Sequence, residues 1–180
     1  MSGAELAGIG GAIAIIGAVL FAAAWAFSVV LGNPLAGGVD VARWIAVPAH
    51  ICLLLGLVAI YGVQSAETGV WGLVGFLLAF SGMAIFIGYV IGGWTPAIPE
   101  PTLGPIGGGL WLVGLLILAV VTWQGGVLPQ WSGVVWMLGA LTYVSSVPDG
   151  PDDPPTLVAL VGASAFAVGI GWAGVAIVSL

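Results

Sequence analysis

His50, Tyr61, Gln64, Ser81 and Tyr89 combine a polar or titratable group with a place inside a long apolar run. A histidine there can accept or donate a hydrogen bond, relay a proton or ligate a metal. A serine within its reach is the start of a nucleophile and base pair. Tyrosine and glutamine can hydrogen-bond a polar ligand. His50 is the chain's only histidine, Arg43 its only basic side chain and Cys52 its only cysteine, and all three fall within residues 40 to 62, "DVARWIAVPAHICLLLGLVAIYG".

Wound at about 100° per residue from Asp40, this stretch puts Arg43 near −60°, His50 near −80°, Tyr61 near −60° and Gln64 near −120°. These residues share one stripe, while Pro48 and Cys52 fall on the opposite side. Polar side chains in apolar helices face the bundle interior or a water-filled cavity, so the stripe reads as an inward face. Arg43 can reach the interface and pair with Asp40 at i, i+3, which makes Asp40 and Arg43 a helix-end anchor. His50 lies about 15 Å further along and needs a partner inside the protein. If spans two and three form a hairpin about Glu67, His50 and Ser81 differ in depth by about 4.5 Å, close enough for a structural hydrogen bond after some tilt. No third group or oxyanion hole accompanies them, so no catalytic residue is assigned. Zinc wants three or four ligands and a bis-histidine haem two imidazoles; with one His and one Cys, no metal ligand and no cofactor is assigned. Cys52 reads as a small buried hydrophobe.

The elements that must hold these residues follow from composition. Of 180 residues, 61% are hydrophobic and only 4% charged, against roughly 25% charged in soluble domains. Apolar runs near 20 residues match the hydrocarbon thickness of a bilayer. Breaks rich in Gly, Pro and acids divide the chain into six spans, at about 5–31, 41–64, 70–94, 105–124, 132–147 and 156–180, in one transmembrane domain covering residues 1–180. The fold class expected is all-α, a polytopic transmembrane helix bundle. The first run lacks a basic leader and reads as a retained helix. The fifth span is the shortest. "SAETG" and "GGVLPQW" are tight connections, which predicts that spans two and three, and four and five, form antiparallel hairpins. The two hairpins share a pattern of aliphatics, an aromatic and Gln, then a turn ending in Trp71 or Trp131, as an internal duplication would.

Small residues recur at spacings of four: Gly8 and Ala12, Gly88 and Gly92, and Ala165, Gly169 and Ala173. Such stripes let helix backbones approach closely in lipid. Trp44, Trp71, Trp94, Trp123 and Trp131 fall near span ends, where an indole anchors at the headgroup level, whereas Trp25, Trp111, Trp136 and Trp172 lie deeper. The net charge of −6 excludes nucleic acid as a partner, because phosphate contacts need Lys and Arg. The acidic balance and loops such as "PDGPDDPP" are archaeal-like, in the manner of salt-loving species.

His50 followed by "LLGL" at 54–57, Tyr61 and Gln64, then "GLVGFLLAFSG" at 72–82, resembles a family of small uncharacterised six-helix membrane proteins of bacteria and archaea. The resemblance implies cytoplasmic termini and tight loops, which in those proteins are basic; here neither tight loop carries a basic residue. Arg43 taken alone would put the first loop in the cytoplasm. The resemblance brings no activity with it. A multi-pass cell-membrane protein with cytoplasmic termini is expected.

Two function classes fit. One is a non-catalytic accessory or scaffold subunit, working with a membrane protein partner or as a homo-oligomer in the lipid bilayer. The other is a small transporter or a lipid- or quinone-binding protein with a polar cavity lined by His50, Tyr61, Gln64, Ser81 and Tyr89.

Overall fold

A computed structural model describes residues 2–31, 41–92, 103–144 and 157–180. The described chain is helical throughout apart from short turns: α1 (Gly3–Leu31), α2 (Val41–Gly92), α3 (Leu103–Gly125), α4 (Gln130–Val144) and α5 (Leu157–Val178). Four stretches are long and apolar enough to cross a membrane: Glu5–Val29, Trp44–Gly88, Gly104–Gly125 and Leu157–Val178. The chain thus has the makeup of a membrane-spanning helix bundle. With 15 residues, α4 rises only about 22 Å, which agrees with its reading as the shortest span.

The 52-residue α2 is not one straight rod. Every residue in it is helical except Gly69, at φ 55 and ψ −147, a region that glycine enters without the Cβ penalty other residues meet. Tyr61 and Phe76 stack with centroids 4.6 Å apart, and His50 and Phe86 lie 5.4 Å apart. On a straight helix these pairs would be separated by about 22 Å and about 54 Å. The helix therefore doubles back at Gly69 into two antiparallel arms, 41–68 and 70–92. The hairpin of spans two and three forms as the sequence predicts, but the expected loop "SAETG" shrinks to one residue. Ser65 and Thr68 donate their hydroxyls to the carbonyls of Gly62 (3.0 Å) and Gln64 (3.0 Å), so the last turn of the first arm keeps its helical form. Thr68 packs where a side chain at Gly72 would begin, which lets the second arm start immediately.

The other turn is built differently. Gly126 takes φ 67 and its N–H bonds Thr122 O at 3.4 Å, a glycine stop in the left-handed conformation. Gln130 Nε2 donates to Trp123 O at 3.1 Å, and Trp123 meets Trp131 edge to face at 5.4 Å, binding the start of α4 to the end of α3. At the N-terminus, Ser2 N–H donates to Glu5 Oε2 at 2.6 Å and Glu5 N–H to Ser2 Oγ at 3.2 Å, a reciprocal capping box.

Packing runs round the bundle in chain order. Gly17 and Gly56 let α1 and the first arm of α2 touch at Leu53 and Ala14; Gly75, Gly82 and Gly114 do the same between the second arm and α3; Gly133 between α4 and α3; Gly139 and Gly169 between α4 and α5; Gly11 and Gly174 close α5 onto α1. In lipid, where apolar burial gives no drive, such backbone approach is what holds helices together. Of the stripes expected from sequence, Gly169 and Ala173 are buried, whereas Ala12 and Gly88 are exposed and nothing approaches Gly8 or Gly88.

The same contacts fix direction. Gly11 beside Ile177, Gly10 beside Ala59 and Gly125 beside Glu67 and Thr68 put both termini, the Gly69 turn and the Gly126 turn at one end of the bundle. The helix ends flanking residues 32–40, 93–102 and 145–156 lie at the other. Those segments, which hold five of the seven acids as well as Trp94, fall outside the described residues.

Candidate functional site

His50 sits in the first arm of α2, about 9 Å along the helix from Trp44, an exposed indole at the arm's outer end. His50 is 5% exposed. Nδ1 lies 2.6 Å from the carbonyl oxygen of Ala46. A carbonyl oxygen only accepts, so Nδ1 carries the proton and donates. In the uncharged ring Nε2 is then a lone-pair acceptor, and it is buried with no hydrogen-bond partner among the described residues. Phe21 meets the imidazole edge to face at 5.4 Å, and Phe86 lies tilted against it at 5.4 Å. The expected hydrogen bond to Ser81 is not made: Ser81 is exposed on the outer side of the second arm. The turn falls at Gly69 rather than Glu67, so His50 and Ser81 differ in depth by about 10 Å; Phe86 comes level with His50 instead, and Ser81 faces outward.

Gln64 shares the buried face of the arm with His50, as the helical projection predicts. It is 1% exposed. Thr122 of α3 donates its hydroxyl to Gln64 Oε1 at 2.9 Å, while Gln64 Nε2 is buried without a partner among the described residues. Thr68 and Thr122 complete a small polar cluster beside the turns, and Ser132, also buried, donates to Pro129 O at 2.6 Å. Fourteen residues, about 21 Å of helix, separate His50 from Gln64, and buried Leu53, Leu57 and Ile60 fill the interval. The stripe is therefore two separate polar spots rather than one continuous cavity.

Tyr61 is half-buried and stacks on Phe76, outside both spots. Tyr89 and Arg43 lie in α2, their side chains outside the described residues, and Asp40 is outside them altogether, so the anchor pair is not described. Cys52 is half-buried and faces Gly17 of α1, not His50. Trp111 and Trp136 are buried at 3% and 0%, and the span-end Trp44, Trp71, Trp123 and Trp131 are exposed; Trp172, grouped by sequence with the deeper indoles, is exposed as well. No group of three His, Cys, Asp or Glu side chains that could hold a metal occurs among the described residues.

No family model, curated protein or solved structure matches the chain.

The chemistry of this molecule thus rests on its own geometry. Sequence reading missed Thr122, Thr68 and Ser132, because a hydroxyl in an apolar run is indistinguishable from one bonded to its own helix. The signal for Thr122 was positional: it precedes the Gly126 turn by four residues, as Gln64 precedes Gly69 by five.

Proposed function

We propose that the chain is a six-pass integral membrane protein, each arm of α2 making one pass, and that it serves as a non-catalytic accessory or scaffold subunit in a larger membrane assembly. What carries this reading is the division of labour between small and large side chains. Glycine and alanine seams join the helices to one another. Large apolar residues point outward all round, among them Val19, Leu55, Leu77, Val113, Leu138 and Val168. The outer face of α3 adds an apolar groove of about 460 Å³ lined by Trp71, Leu116, Ile117, Val120, Val121 and Gln124. A concave apolar strip with one amide at its edge suits a neighbouring transmembrane helix. The same-end placement of termini and both tight turns supports an even number of passes, and the resemblance to basic-looped six-helix proteins supports a cytoplasmic position for that end.

Extraction into mild detergent, followed by mass measurement in the micelle, tests the assembly. The reading expects a homo-oligomer or a stoichiometric second polypeptide. A stable monomer, in detergent and after reconstitution, overturns it.

A further inference from the structure

Apart from a narrow approach of α2 to α5, the described helices bring backbones within 8 Å only of their neighbours in chain order and where α5 closes on α1. The interior is spanned instead by side chains. Trp111 of α3 reaches Phe166 of α5 at 5.2 Å, although the two backbones do not come within 8 Å. Phe166 meets Phe21 of α1 at 5.5 Å, Phe21 meets His50 at 5.4 Å, and His50 meets Phe86 at 5.4 Å. The series begins on the second arm of α2 and ends on α3, and these two pack directly on each other where Gly82 faces Trp111. The rings therefore make a circuit round the bundle interior, and His50 Nε2 is a buried acceptor within it.

We propose that this ring-lined interior binds a hydroxylated aromatic ring, a phenol or quinol on an amphiphile dissolved in the bilayer, whose hydroxyl donates to His50 Nε2. Three observations select that chemistry. The Nδ1 bond to Ala46 O fixes the tautomer, so the atom left over calls for a donor and not for another acceptor. Its surroundings are aromatic faces and edges, which receive a flat ring in offset or edge-to-face contact. The walls are side chains and not backbones, so a slot opens by rotating rings without shifting helices. Phe86 is the wall best placed to turn: it is half-buried, whereas Phe21 and Phe166 are almost fully buried. A metal is less suited, since no group of three His, Cys, Asp or Glu side chains that could hold one occurs among the described residues.

The inference stands apart from the scaffold reading, because it is tested on the purified full chain whatever its oligomeric state. With one histidine in the sequence, selective ¹⁵N-histidine labelling gives one pair of ring-nitrogen signals that needs no residue assignment. Decylhydroquinone, kept reduced and titrated into the protein in nanodiscs, should move the Nε2 signal toward that of a hydrogen-bonded acceptor and leave Nδ1 nearly fixed. Its dimethyl ether, which has no hydroxyl to donate, should bind about tenfold more weakly, the loss of one hydrogen bond, and leave Nε2 in place. His50→Phe keeps a flat ring between Phe21 and Phe86 and removes both ring nitrogens, so its affinity should fall to that of the ether. An unmoved Nε2 signal at saturating hydroquinone, or equal binding of hydroquinone and ether, overturns the proposal. Undiminished binding by a folded His50→Phe does so as well; should that variant fail to fold, the wild-type comparison of the two ligands decides.

Discussion

Thr122 of α3 donates its hydroxyl to Gln64 Oε1 on the first arm of α2, across 2.9 Å and out of reach of solvent. The bond reaches past the second arm, which lies between them in chain order. The two meet beside the turns, where Gly125 of α3 lies next to Glu67 and Thr68.

Removing one member of this pair strands the other. We expect Thr122→Val to destabilise the protein by about 1 kcal/mol, and Gln64→Leu combined with Thr122→Val to cost less than the sum of the two single changes. Reversible unfolding in mixed micelles of increasing SDS measures all three. Strict additivity would show that the bond contributes nothing.

At Gly69 the backbone conformation is one that residues with a Cβ rarely adopt, so Gly69→Ala should cost about 1–3 kcal/mol. The same unfolding assay applied to Gly62→Ala, at an exposed helical position with no atom near the new methyl, supplies the contrast and should change stability by less than about 0.5 kcal/mol. Equal effects would mean that Gly69 is not the turn.

The helix seams separate two kinds of glycine. A Cβ at Gly114 meets the backbone of Gly75 and Ala79, and one at Gly139 meets the backbone of Phe166, whereas one at Gly88 meets nothing. Leucine at position 114 or 139 should therefore prevent recovery of folded protein. Gly88→Leu should be recovered at wild-type yield, as judged by a monodisperse elution profile.

Topology can be read by cysteine labelling. In a Cys52→Ala background, a membrane-impermeant maleimide should reach cysteines placed at Ser2, Glu67 and Gln130 from one side of sealed vesicles, and one at Asp152 from the other. Labelling of Ser2 and Glu67 from opposite sides would be incompatible with each arm of α2 making its own pass.

Helix positions were largely legible in the sequence, since apolar run length is a direct reading of bilayer thickness and Gly, Pro and acids mark the breaks. The expected spans at 105–124 and 156–180 agree closely with α3 and α5. Residues 65–68 escaped because Ser and Thr read as loop formers, yet here their hydroxyls bond the preceding helical turn. Within the site, His50 and Gln64 were found because both lie on one helix, whose rotation is known from counting. Ser81 was misplaced because the turn falls at Gly69 and not at Glu67, which brings Phe86 level with His50, and because the rotation of one helix against another depends on packing at Gly82 and Gly114, which counting does not contain. With 31 glycines in the chain, spacing alone did not reveal which of them face a neighbour: Gly88 fits the pattern and faces outward, while Gly139 fits no stripe and lies against Phe166.

A turn of one residue leaves no slack between the arms of α2. Adding or deleting a single residue at Gly69 would rotate the whole second arm by about 100° about its axis. Gly75, Ala79 and Gly82 would swing away from α3, and Phe86 away from His50. The phase of one arm is thus geared to the other, and the length of the chain between Gln64 and Gly75 is as much a determinant of the interior as the side chains that fill it.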